Sequence, residues 1–319
     1  YISNSINNLF NTYESEDCLF LNIFSPTCER EKLPVMVWLY GGHYQNGYGS
    51  HHYYFNKYIV DKNIVYITLN YRNGIFGFFN HPELENESSN NTSGNYGILD
   101  IICALKWIKN NIYWYGGNPD NVTLFGQGSG ANSIIYLMTS KLSKGLFQKA
   151  IIQSYGELYN INKNNNRLGI KIADKLVGQG KNQLLRLKKI PGSEIMKVYL
   201  KNILNNKKIN FSNFFYPVID GICIPDNPYI IFKNKEQHNI PIIMGLNNEE
   251  GNILYQIGFS YLIRNPINDS YYTQDEIDKI IYIYNDIDKN KKKVMERYFT
   301  DYIFFNINKL LINEHKKIN

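Results

Sequence analysis

Residues 126 to 130 read Gly-Gln-Gly-Ser-Gly, a frame of alternate glycines whose central side chain decides what chemistry is available. The frame follows the apolar and β-branched run Val122-Thr-Leu-Phe125 and precedes Ala131-Asn-Ser-Ile-Ile135, so the pattern is strand, sharp turn, helix. With serine at its centre, such a turn is a nucleophile elbow. The hydroxyl is held exposed at the apex for attack on an acyl carbon, and the outer glycines let helix and strand approach. Here the centre is Gly128, which offers no nucleophile. Ser129 stands one place later, where the backbone N–H serves an oxyanion and the side chain turns into the helix packing, so its hydroxyl is misdirected. Without a nucleophile no acyl-enzyme forms, and loss of such a serine lowers the rate by several orders of magnitude.

The elements that position this turn are legible in the hydrophobic pattern. The runs Leu19 to Phe24, Val35 to Tyr40, Val65 to Leu69, Val122 to Phe125, Ala150 to Gln153 and Ile242 to Gly245 predict strands. Several are continuously apolar, as strands buried on both faces are. Ile98, Ile101, Ile102, Leu105, Ile108 and Ile112 share one face at the 3.6-residue period and predict a helix. Strand and helix alternate, which predicts a mostly parallel sheet covered on both sides. Beyond Glu157 the texture changes to long polar helices, with Thr273 and Glu276 spaced as a capping box ahead of Ile277, Ile280, Ile281 and Tyr284. The Asn/Ser-rich stretch Glu85 to Ser93 predicts a surface loop.

Composition narrows the function classes. With 319 residues and 44% apolar content there is ample material for a core. The excess of Asn, Ile, Lys and Tyr reads as codon bias, so single surface Asn or Lys residues carry little information. A net charge of +6 is modest for this length. The lysines gather at Lys289 to Lys293 and Lys316 to Lys317, which read as solvated helix faces and not as a nucleic-acid or anionic-lipid patch. No apolar run approaches the roughly 18 residues of a membrane span, and Tyr1 to Asn11 is polar and unlike a signal peptide. Cys18, Cys28, Cys103 and Cys223 are too scattered for a zinc site or a C-x-x-C motif. Nothing in the pattern calls for a metal or a cofactor. Cys103, set among Ile101, Ile102, Ala104 and Leu105, is expected to be buried.

Several ordered segments carry a resemblance. Ser15-Glu-Asp-Cys-Leu-Phe-Leu-Asn-Ile-Phe-Ser25 resembles the second signature of the type B carboxylesterases. The likeness continues through Pro34 to Gly42, Ile67-Thr-Leu-Asn-Tyr-Arg72, Gly94-Asn-Tyr-Gly-Ile-Leu-Asp100, Trp114 to Gly126, Gly145 to Ser154, Pro217-Val-Ile-Asp-Gly221 and Gly245-Leu-Asn-Asn-Glu-Glu-Gly251. The sequence is thus similar to the carboxylesterase and cholinesterase family over most of residues 15 to 251. The resemblance implies an α/β-hydrolase fold, a mostly parallel twisted sheet flanked by helices, incomplete at both ends. It implies one partial domain over 1–319, with core motifs in 15–251 and helical decoration in 157–210 and 252–319.

The resemblance also assigns positions. Glu250 matches the family's triad acid, which orients and stabilises an imidazole; the alternative is a carboxylate that merely ties loops in a vestigial site. The oxyanion-hole positions match Gly42, His43 and Ser129, with His43 in place of the family's usual small residue. His43 reads as loop packing or space filling, not as the catalytic base. The order expected is nucleophile, acid, histidine, yet the only histidine after Glu250 is His315, in the polar tail Asn313-Glu-His-Lys-Lys317, without the family's glycine-flanked setting. The segment bearing the triad histidine is expected to be absent.

A glycine at the apex is what neuroligin-like members of the family carry, and Gly145 to Ser154 and Tyr44 resemble them, whereas His81-Pro-Glu-Leu84 resembles ordinary esterases. Two functions follow. One is an inactive, cholinesterase-like protein that binds a protein partner or sequesters a small ester; the other is a carboxylic ester hydrolase. The resemblance implies secretion, with Cys18 matching a cysteine whose usual partner lies upstream. The sequons at Asn86, Asn90 and Asn210 add weak support for a glycoprotein.

Overall fold

Five consecutive residues, Val65 to Leu69, are all buried, as an unbroken apolar and β-branched run requires of a strand inside a sheet. The computed structural model describes residues 15–27, 29, 31–156, 167–205, 208–209, 214–252, 264–265, 270–271, 273–284, 286 and 290–318. In it, Val65–Leu69 is β3 of a six-stranded sheet whose other members are β1 (Leu21–Phe24), β2 (Leu33–Leu39), β4 (Gly117–Gln127), β5 (Lys149–Gln153) and β6 (Ile242–Gly245). The order is β1-β3-β2-β4-β5-β6. Every neighbouring pair is parallel except β1 with β3. All six expected strands are present. β4 starts earlier than the apolar run because Gly117 already pairs with Leu33, across an irregularity before Val35 meets Val122.

Besides two short helices, Lys57–Val60 and Pro82–Glu87, the described helices are α1 (Gly74–Phe78), α2 (Tyr96–Asn111), α3 (Ser129–Thr139), α4 (Arg167–Val177), α5 (Gln183–Leu187), α6 (Gly192–Ile203), α7 (Pro228–Lys233), α8 (Gln274–Tyr284), α9 (Lys291–Phe299) and α10 (Asn306–His315). A π-helical turn, Thr300–Phe305, joins the last two. On α2 the expected stripe Ile98, Ile101, Ile102, Leu105 and Ile108 is buried. Cys103 is exposed, contrary to expectation. The helical period carries position 103 off that stripe, which its apolar neighbours in sequence did not reveal. Every residue of α3 is buried, so the helix after the elbow lies wholly within the core.

The later helices enclose a second cluster of Ile280, Val294, Met295, Phe299, Ile303 and Phe304. The capping box at its edge is formed: Thr273 N–H and Oγ1 both bond Glu276 Oε2, and Glu276 N–H returns to Thr273 Oγ1. Two sequence expectations need correction. The stretch Glu85 to Ser93 is not all loop, since Pro82–Glu87 is a short helix carrying Asn86, and Ser93 is buried. The tail around His315 is not merely a solvated face, since α10 buries Ile307, Asn308, Leu311 and His315. Cys28, Lys289 and the sequon at Asn210 lie outside the described residues. Among the described residues no helix is long and apolar enough to cross a membrane, and no three His, Cys, Asp or Glu side chains gather as a metal site.

The two faces of the sheet differ. Val35, Val37, Leu39, Val122, Leu124, Ala150 and Ile152 are all at most 1% exposed, beneath the main core. On the opposite face Trp38, Phe125 and Ile151 are only half-buried, and Ile243 is 66% exposed. Among the described residues, coverage on both sides, as the alternation of strand and helix predicts, is therefore complete on one face only.

Candidate functional site

β4 ends at Gln127 and α3 begins at Ser129, so the reversal falls on Gly128, at φ 57° and ψ −122°. The flanking glycines are there because backbones touch. A Cβ on Gly126 would lie 2.7 Å from the Leu39 carbonyl oxygen, and one on Gly130 would lie 2.0 Å from it. A Cβ on Gly128 itself would meet nothing within 4 Å. The elbow is thus shaped as it would be around a nucleophile, with the space for one left open. The turn is held by Gly128 N–H donating to Gln153 O at 3.1 Å and by Asn132 N–H donating to Gly128 O at 2.9 Å. Ser129 is 5% exposed, and its Oγ is buried with no hydrogen-bond partner of good geometry. It lies near enough to the Tyr71 hydroxyl to favour that phenol's ionised form, although burial dominates and raises the Tyr71 pKa well above its ordinary value.

The glycine loop after β2 presses on this elbow, since a Cβ on Gly41 would lie 2.6 Å from Gln127 O. Gly42 takes φ 142°, and its carbonyl accepts from Gln45 N–H and Asn46 N–H. His43 and Tyr44 follow, both left-handed at φ 59° and 58°. Tyr44 is fully buried, and its hydroxyl accepts from Ser133 Oγ on α3. His43 Nε2 shares a 2.6 Å hydrogen bond with the Tyr216 hydroxyl, and its ring stands edge-on to Phe214 and Tyr216. Burial lowers the His43 imidazole to about 4, so it is neutral at pH 7. Beside it Gln45 Nε2 donates to Phe215 O, and the Tyr199 hydroxyl donates to Gln45 Oε1. The loop is therefore tied to the 214–216 segment by two adjacent polar contacts.

Glu250 Oε1 accepts from Ser154 Oγ at 2.5 Å, from Asn247 N–H at 2.8 Å and from Asn247 Nδ2 at 3.1 Å. Ser154 stands at φ 56° at the end of β5, next to the Gln153 carbonyl that holds Gly128. The end of one strand thus links the apex to the acid. Gly251 packs where a Cβ would lie 2.0 Å from Glu296 O, and its N–H donates to Thr300 Oγ1, which anchors the acid loop on α9 and the π turn.

No imidazole completes this set. Among the described residues Glu250 meets only Ser154 and Asn247. His315 is 7% exposed; its Nε2 bonds Ile240 O at 2.9 Å and its Nδ1 lies 3.4 Å from Gln237 Nε2. Both nitrogens are spent on tying α10 to the segment before β6. His81 caps the Pro82–Glu87 helix through Nδ1 and meets Gln183 through Nε2, and His238 bonds Ser140 O.

The quoted motifs also explain themselves. Arg72 grips Asp100 with two side-chain bonds of 2.8 Å and its own backbone N–H at 3.1 Å, and Asn95 exchanges hydrogen bonds with Val218 in both directions. These ties hold the loop after β3 to α2 and the start of α2 to the segment at residue 218. Sequence reasoning did not single out Ser154, Asn247, Gln45 or Tyr216. Tyr216 lies 173 residues from His43, and no local pattern marks such a partner. Ser154 could have been found from its place at the end of a strand inside a quoted motif.

Comparison with known proteins agrees with this architecture. A model of the carboxylesterase family matches residues 2–312. The chain is 37% identical over 244 residues to a fumonisin B1 esterase of Sphingopyxis macrogoltabida, covering 74% of this chain and 43% of that protein. It is 35% identical over 243 residues to the para-nitrobenzyl esterase of Bacillus subtilis, covering 76% and 49%. It therefore spans less than half the length of these relatives. Among solved structures, a carboxylesterase of Geobacillus stearothermophilus superposes with a TM-score of 0.81 at 27% identity, over 97% of this chain and 64% of that one. The order of the strands, the glycine-packed elbow and the matched sequence lead to one assignment: the chain belongs to the carboxylesterase family, of type B and the α/β-hydrolase fold.

Proposed function

We propose that this carboxylesterase-family protein binds a protein partner or a small ester without turning it over. The observation that carries the reading is the apex. Gly128 sits in the strained turn with open space where an attacking oxygen would stand, and the carboxylate of Glu250 is engaged by Ser154 and Asn247 with no imidazole beside it. Ester hydrolysis by the family's route needs a nucleophile, a base to deprotonate it and donors for the oxyanion. In this reading Gly128 supplies no nucleophile, no imidazole stands beside Glu250 among the described residues, and the backbone N–H groups of Gly42, His43 and Ser129 are left to polarise a bound carbonyl. No cofactor, nucleic acid or metal enters. The same reading takes the protein to be extracellular, which family resemblance supports, with exposed Asn86 and Asn90 as glycan acceptors.

A second reading, carboxylic ester hydrolysis, is favoured by the relatives, two of which bear the names fumonisin B1 esterase and para-nitrobenzyl esterase. It would have to use Ser129, whose buried hydroxyl points into packing. Mass spectrometry after exposure to an organophosphate that traps activated serines separates the two. We expect no adduct while the Bacillus subtilis para-nitrobenzyl esterase is labelled in parallel. A phosphoryl group on Ser129 or on another residue around the apex would establish the hydrolase reading instead.

A further inference from the structure

Charge is not spread evenly along this chain. Residues 167–205, which hold α4, α5 and α6, carry nine Lys and Arg against Asp174 and Glu194, a net of +7, whereas the whole chain carries +6. Codon bias raises lysine everywhere, yet outside this segment 25 Lys and Arg stand against 26 Asp and Glu. The surplus is ordered into rows. Arg167, Lys171 and Lys175 recur every fourth residue on α4, Lys197 and Lys201 do so on α6, and all five are exposed. Lys175 Nζ donates to Asn202 Oδ1 at 2.9 Å, next in sequence to Lys201, which brings the two rows together. Of the two acids, Asp174 accepts from Gln183 Nε2 on α5, and Glu194 lies 3.9 Å from Lys197. Ile170 and Leu200 stand exposed beside Lys171 and Lys201.

The outer side of α8 has a complementary character. Ile277, Ile280, Ile281 and Tyr284 turn to the second cluster, which leaves Asp275, Asp278, Lys279, Tyr282 and Ile283 around a surface hollow. Tyr282 is 84% exposed and Ile283 70%, and apolar surface rimmed by charge is the character of a docking face. We propose that the outer face of α8 in one copy of this chain docks on the basic strip of α4 and α6 in another. Asp275 and Asp278 answer Lys171 and Lys201, and Tyr282 and Ile283 give Ile170 and Leu200 an apolar contact. The strip suits a polypeptide better than a nucleic acid, because the one aromatic ring in 167–205, Tyr199, is buried and no base could stack on it. The two faces differ, so the contact is heterologous, and its repetition builds chains or a ring, not a two-fold pair. A face one helix wide buries little area, so the association is weak and reversible.

Sedimentation velocity across the micromolar to millimolar range tests this. The weight-average mass is expected to rise with concentration and to fall as salt shortens the Debye length from about 10 Å at 0.1 M to about 3 Å at 1 M. The double variant Lys171→Glu, Lys201→Glu and the double variant Tyr282→Ser, Ile283→Ser change exposed positions, so each is expected to keep the parent melting midpoint. Each alone is expected to weaken self-association about tenfold or more. Mixed, they are expected to form one-to-one pairs that grow no further, because each retains one intact face. Lys171→Arg, Lys201→Arg keeps the charge and is expected to associate as the parent does. Absence of self-association, or a mixture of the two weakened variants that does not pair, overturns the proposal. Association lost in the Tyr282, Ile283 variant but unchanged in the Lys→Glu variant overturns it in favour of α8 pairing with itself. None of these readouts involves ester binding or turnover, so they stand or fall apart from the functional reading above.

Discussion

A side chain at position 128 has room but an uncomfortable backbone, and the same turn gives its neighbours no room at all. In Gly128→Ser the added Cβ would meet no atom within 4 Å, and the cost expected is the strain of φ 57°, about 1–2 kcal/mol. Gly130→Ala would drive a methyl to 2.0 Å from Leu39 O and should cost about 3 kcal/mol or abolish folding. Thermal melts of the two variants check this ordering, and equal losses would mean the elbow is not packed as described. Under the non-catalytic reading, Gly128→Ser should also show no burst with para-nitrophenyl acetate, because no imidazole stands by Glu250 to take the proton. His43 makes a second prediction at this scale. Its imidazole is lowered to about 4, so the unfolded chain, titrating near 6.5, binds the proton first as pH falls. The stability it contributes is present above pH 6.5 and lost progressively toward pH 4, by ~3 kcal/mol in all. His43→Gln should flatten denaturant stability across that window. Unchanged slopes would show that the ring is not buried as a neutral base. The sequence displays Gly128, Glu250 and His43 as single letters, but what each touches is set by residues far along the chain, as with Tyr216 and Ser154.

At the scale of elements, periodicity is a reliable guide wherever burial is one-sided or total, and a poor one where chain partners decide. The strand Val65–Leu69 and the buried stripe of α2 follow directly from side-chain volume and branching. The exposure of Cys103 and the burial of His315 depend on which helix face meets the sheet, a fact of packing that adjacent letters do not carry. The junction of β3 with α2 gives a test. Asp100 has only 7% of its side chain exposed, while Arg72 keeps 37%, so the charge left behind by Asp100→Asn can still reach water. The expected loss is therefore about 2 kcal/mol, below that of a fully buried broken pair. Arg72→Lys should lose most of the same amount, since an ammonium cannot span both carboxylate oxygens. If Arg72→Lys proves neutral in urea unfolding, the forked geometry is not what holds these loops.

For the molecule as a whole, two cores share one functional neighbourhood. The main cluster lies under the sheet around α2 and α3, and the second lies among α8, α9 and the π turn. Among the described residues, polar links between them include Ser154 Oγ donating to Glu250 Oε1, and Asn308 Nδ2, which donates to both Tyr155 O and Phe304 O. The acid loop belongs to the second cluster and the apex to the first, so their alignment depends on that joint. Phe299 is fully buried in the second cluster. Phe299→Ala should cost ~3–4 kcal/mol there. If the clusters open separately, hydrogen exchange should speed up in 274–284 and 291–305 while the amides of α3 keep their protection. In that event Glu250 would shift with the second cluster, and the apex would keep its shape without the acid beside it. Uniform loss of protection in α3 as well would mean that the chain unfolds as one unit and that the acid and the apex cannot be separated.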